Sequence, residues 1–77
     1  MKEHDLVVLT RGSPERGLEA GDVGTVVHCY GDGEAFEVEF MSAAARTIAV
    51  LTLEREELRE LEEGDILHAR RLPATAP

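Results

Sequence analysis

Cys29, the chain's one thiol, and His4, His28 and His68 are the side chains with most potential for chemistry. A nucleophilic cysteine needs a base held within hydrogen-bond reach. His28 adjoins Cys29, but neighbours on a strand point to opposite faces. Cys29 shares its predicted face with valine and phenylalanines, so it reads as a buried, inert thiol. The histidines have carboxylates nearby, yet no CxxC, HxxxH or HExxH spacing accompanies them. Gly31-Asp32-Gly33 lacks the helix start and the lysine of a phosphate loop, and reads as a hairpin turn. No nucleophile, base and oxyanion donor can be assembled. The expectation is a non-enzymatic protein with no cofactor and no metal.

The elements around these residues are short. With 77 residues and 8.4 kDa, the chain is one domain near the lower limit for an unassisted core. Apolar residues make up 43% of it, a globular proportion. Tyr30, Phe36 and Phe40 are the only aromatics, so Val, Leu and Ile must fill most of the core.

Residues 5–10 form a first strand candidate and 11–17 a surface loop, with Leu18 pinning that loop to the core. Val23 to Tyr30 and Ala35 to Met41 make a hairpin around residues 31–34. Gly24 inside the second strand marks a bend or a close backbone approach. A two- or four-residue loop pairs Tyr30 with Ala35, His28 with Glu37 and Val26 with Glu39. Val27 and Cys29 then face the core with Phe36, Val38 and Phe40. Val26, His28 and Tyr30 lie outside, beside Glu37 and Glu39.

Thr47 to Leu53 is a fourth strand that is apolar on both faces, Ile48 and Val50 against Ala49, Leu51 and Leu53. Such a strand calls for a cover on each side. Residues 54–57 read as a helical turn before a brief fifth strand at 58–61, or the run LEREELRELEE as one short helix. Ile66, Leu67, His68, Arg70 and Arg71 then form an apolar-basic segment after two acidic runs. It docks across the fourth strand of its own barrel or on a partner. Residues 73–77 read as a disordered tail, which makes 1–72 the single folded domain.

Sixteen acidic against eight basic residues give a charge of −8, with Lys2 the only lysine. Phosphate backbones are bound by clustered Lys and Arg, so nucleic acid is an unfavoured partner. A basic protein partner is favoured by steering. No signal peptide and no long apolar run is visible, so the expected location is cytoplasmic, with no membrane association.

Short strands, glycine-punctuated turns and a helical turn before the last strand predict an all-β fold: a small SH3-like, five-stranded antiparallel barrel with a short C-terminal segment. Leu18 to Val26 resembles the KOW-type pattern of ribosomal and transcription-factor barrels. The ordered series DLVVLT, PERGLEAGDVGTVVH, GEAFEVEF, TIAVLTL and GDILHARRL, residues 4 to about 72, resembles a small bacterial family, domain of unknown function four-nine-two-six. That resemblance implies an SH3-like barrel and supplies no activity, substrate or catalytic residue.

The expected function is therefore a protein-interaction module, of a regulatory, immunity or antitoxin type. It binds a partner through Val26, His28 and Tyr30 of the hairpin's outer face and through Ile66, Leu67, His68, Arg70 and Arg71. A homodimer covering the fourth strand, or sheet extension at an open edge, are further ways to use the scaffold. The alternative is an RNA- or ribosome-associated KOW-like barrel, with Arg11, Arg16 and Arg46 converging on one rim.

Overall fold

A computed structural model describes residues 1–72; the expected disordered tail at 73–77 lies outside the described residues. Five strands form one antiparallel sheet: β1 (Leu6–Leu9), β2 (Val23–Tyr30), β3 (Ala35–Met41), β4 (Thr47–Glu54) and β5 (Leu58–Glu60). Their order is β4-β3-β2-β1-β5, so consecutive hairpins supply most of the sheet and β5 returns beside β1. β4 and β5 stand at opposite ends of that order, and hydrogen bonds do not close the sheet. The all-β class and the five antiparallel strands agree with the expectation, and the arrangement is compatible with an SH3-like barrel.

Two 3-10 turns connect the strands. Pro14–Arg16 starts on the proline, whose fixed φ suits a first turn position, and ends on Gly17 in the left-handed region at φ 72°. Ser13 and Leu18 exchange backbone hydrogen bonds of 2.9 and 3.1 Å across the turn's base. Leu18 is buried and ties this loop to the core, as expected. The second turn, Arg55–Glu57, joins β4 to β5 and carries a capping box between Glu54 and Glu57. Arg55 Nε also donates to the Gly33 carbonyl at 2.8 Å, tying the turn to the β2–β3 hairpin. The reading of residues 53–63 as one short helix is thereby overturned.

Alternating inward residues build the core: Val7 and Leu9, Val26, Phe36, Val38 and Phe40, then Leu51, Leu53 and Leu58. Gly24 lies against β3. A Cβ there would meet Val38 Cγ1 at 2.7 Å and Phe40 Cε1 at 2.8 Å, which is the close approach its position suggested.

Two bulges revise the expected faces. Tyr30 does pair with Ala35 and His28 with Glu37, but the next partners are Val26 with Val38 and Thr25 with Glu39. Val27 is the extra residue, and it shifts the alternation by one. Val26, expected on the outer face, is therefore 0% exposed in the core, whereas Val27 is 41% exposed. The bulge is fixed from the other side, where Val26 N–H donates to Asp5 O at 2.9 Å and His4 N–H to Val26 O at 2.7 Å.

The second bulge is in β4. Phe40 faces Ala49 and Met41 faces Thr47, which leaves Ile48 as the extra residue. Ile48 packs with Ala49 against the core instead of sharing an outer face with Val50. The apparent two-faced apolarity of β4 is thus largely a change of phase. Val50 alone remains on the outside, and it is exposed.

Candidate functional site

On the outer face of the β2–β3–β4 sheet, the register sets side chains in three rows. Tyr30, Ala35 and Glu54 form the first; His28, Glu37 and Thr52 the second; Thr25, Glu39 and Val50 the third. The His28 and Tyr30 rings meet edge to face with centroids 4.6 Å apart, a favourable aromatic arrangement. Thr52 Oγ1 donates to Glu37 Oε1 and Thr47 Oγ1 to Glu39 Oε2, both at 2.5 Å. These hydroxyls hold the two carboxylates in place beside the ring pair. Val27, Tyr30 and Val50 are exposed around them.

His28 was expected to pair with Glu37. The two are in register, but the carboxylate within reach of His28 Nδ1 is that of Glu3, at 3.8 Å. Glu3 therefore adds a third acid to this face. The surface combines an exposed tyrosine ring, small apolar patches and hydrogen-bonded carboxylates, a set of groups that attracts positive charge.

The C-terminal segment lies elsewhere. Residues 66–72 have no regular secondary structure, and all but Arg70 are exposed. Arg70 makes the attachment: Nε donates to Asp22 Oδ1 at 2.9 Å, and Nη2 donates to Asp22 Oδ2 at 2.6 Å and to Gly17 O at 2.8 Å. Nη1 stands 3.6 Å from Glu19 Oε2. Burial pushes the Asp22 carboxyl up, but the Arg70 hydrogen bonds and the Glu19 N–H outweigh it and leave Asp22 below its ordinary value. The same bonds hold Arg70 above its own.

His68, Arg71 and Leu72 help line a cleft of about 470 Å³ with Val23, Phe40 and Ile48. Ile66 and Leu67 stay 88% and 70% exposed. Docking is thus by the guanidinium at the start of β2, not across the outer face of β4. Val23 and Tyr30 lie seven residues apart on β2, roughly 20 Å at the strand rise. The segment and the His28–Tyr30 face are consequently two separate surfaces. Val26 belongs to neither.

The remaining chemistry-bearing residues do not gather. Cys29 is partly buried, in register with Phe36 and packed against the core. Among the described residues, no three His, Cys, Asp or Glu side chains are grouped to hold a metal ion. Arg11 and Arg16 line one recess with Glu15 and Glu57, and Arg16 stands 3.5 Å from Glu15; Arg46 is not among the recess residues. Among the described residues, no helix is long and apolar enough to cross a membrane.

Sequence reasoning missed Gly17, Glu19 and Asp22, the other half of the Arg70 attachment. Asp22 reads locally as the end of a loop, and nothing in the order of residues ties it to a side chain 48 positions later. It also missed Val27, displaced by the bulge, and Glu3.

The family model described as Domain of unknown function (DUF4926) matches residues 3–60, so the chain belongs to that family. The match spans all five strands and ends before the Arg70 segment, short of the residue 72 that the resemblance suggested. No curated protein and no solved structure matches the chain.

Proposed function

We propose that this member of the family is a non-enzymatic, cytoplasmic interaction module that binds a basic segment of a protein partner on the outer face of β2–β4. The observation that carries the reading is the arrangement of Glu37 and Glu39, each fixed by a threonine hydroxyl, beside the exposed His28–Tyr30 ring pair. Pre-positioned carboxylates next to an exposed tyrosine ring, whose face attracts positive charge, recognise a cation at low ordering cost. The charge of −8 adds long-range attraction to the same partner. A compact acidic barrel that neutralises a basic surface suits a regulatory, immunity or antitoxin-type protein.

Affinity capture of the tagged protein from its native cells, after nuclease treatment, compares the native chain with a Tyr30→Ala/Glu37→Lys variant. Both changes are on exposed or half-buried positions and leave the core intact. A stoichiometric basic protein that the native chain retains and the variant loses supports the reading. Equal recovery by both, or recovery that vanishes with nuclease, removes it.

A further inference from the structure

We propose that Asp22, Glu19 and the Gly17 carbonyl form a second binding site, a guanidinium-recognition notch for an arginine-bearing peptide, which the chain's own Arg70 occupies in the absence of that peptide. The fork of Arg70 meets both oxygens of Asp22 at 2.9 and 2.6 Å, and the same Nη2 reaches Gly17 O at 2.8 Å. A planar group with donors in fixed directions satisfies these acceptors together; a lysine ammonium does not. The notch is held in shape without Arg70, because Glu19 N–H donates to Asp22 Oδ2 at 2.8 Å and Asp22 N–H to Glu19 O at 3.0 Å.

Arg70 is the segment's single polar anchor. Among the described residues, every hydrogen bond from 66–72 to the barrel comes from its guanidinium. Of the segment's larger apolar side chains Ile66 and Leu67 remain in solvent and Leu72 alone, 37% exposed, is set against the ordering of the chain. Beside the notch, the cleft lined by Val23, Phe40, Ile48 and Leu72 keeps about 470 Å³ of open space. The segment's own His68 to Leu72 form one wall of that cleft, so a peptide that displaces the segment meets the opposite wall, Val23, Phe40 and Ile48, with an apolar side chain near its arginine. The site therefore takes an Arg-plus-apolar motif. Its residues are not those of the outer face, whose His28–Tyr30 ring pair lies some 20 Å along β2, so either can fail without the other.

The test uses the full chain and, as probe, a fluorescein-labelled Ile-Leu-His-Ala-Arg-Arg-Leu peptide. The Arg70→Ala variant, whose notch is vacated, is expected to bind the probe about tenfold more tightly than the native chain. Adding Asp22→Asn to it, or changing the probe's first arginine to lysine, is expected to lose about tenfold. Equal affinity for native and Arg70→Ala chains, or no binding to either, overturns the proposal. If Arg70→Ala fails to fold by circular dichroism, the native chain is titrated with N-acetyl-argininamide and N-acetyl-lysinamide. Amide shifts at Gly17, Glu19 and Asp22 with the arginine compound alone support the notch; no shifts, or the same shifts with both, overturn it.

Discussion

Gly24 shows how one residue ties chain flexibility to core packing. Replacing it with alanine stiffens the unfolded chain, which by itself favours folding by about 0.4–1 kcal/mol. The new methyl, however, would sit 2.7 Å from Val38, 2.8 Å from the Phe40 ring and 3.0 Å from the Glu39 carbonyl. Val38 and Phe40 are themselves closed in by the core, so neither can yield freely. Overpacking of this kind costs about 1–3 kcal/mol and outweighs the entropic gain. Gly24→Ala is expected to lower stability in urea unfolding by about that amount; a gain in stability would show that β3 is not packed as described. Asp22 sets a second expectation at this scale. Its carboxyl lies below the ordinary 3.8, so the Arg70 attachment is fully present above that value and is lost as pH falls through the depressed one. The Arg59 guanidinium and the Glu62 N–H bring Asp65 to about 2, so the turn at 62–65 persists as pH falls until about that point. An NMR pH titration of the Arg70 Nε–H resonance should therefore be flat from pH 8 to 5 and change only in the acid range. A change near neutrality would contradict the Asp22 partnership.

At the scale of elements, the bulge at Val27 decides which valine stabilises the protein. Val26→Ala removes fully buried atoms and is expected to cost about 2–3 kcal/mol. Val27→Ala removes an exposed side chain and is expected to stay within about 0.5 kcal/mol. Equilibrium unfolding of the two variants checks this, and the reverse ranking would restore unbroken alternation along β2. The sequence makes the strands themselves legible. Val23 to Tyr30 and Ala35 to Met41 can be delimited from β-branched runs and from glycines flanking a tight turn. The positive φ angles of 54° at Gly31 and 82° at Gly33 are what those glycines supply. Bulges are less legible, because one extra residue leaves composition and local periodicity almost unchanged while reversing every face before it. For β2 the arbiter is Asp5 and His4, which bind Val26 from the far side of the strand. For β4 the apolarity on both faces is itself the trace of the bulge at Ile48.

For the whole molecule, the Arg70 attachment lies just before β2 and the His28–Tyr30 ring pair at that strand's far end. The hairpin's outer face was readable from alternation, and His28 and Tyr30 lie where it placed them. The attachment of Arg70 was not, since it depends on how β5 and the chain after it return past β1 toward the loop before β2. The acidic charge of −8 is spread over both regions, with Glu3, Glu37 and Glu39 on one and Glu19 and Asp22 on the other. Charge alone therefore cannot assign a basic partner to either. An NMR map of backbone amide shifts, recorded while the isotope-labelled protein is titrated with the basic protein captured from its cells, makes that assignment. Binding through the outer face predicts shifts centred on Val27 to Tyr30, Glu37 to Glu39 and Val50 to Thr52, with Gly17 to Asp22 unmoved. Shifts confined to Gly17 to Asp22 and residues 66–72 would contradict it.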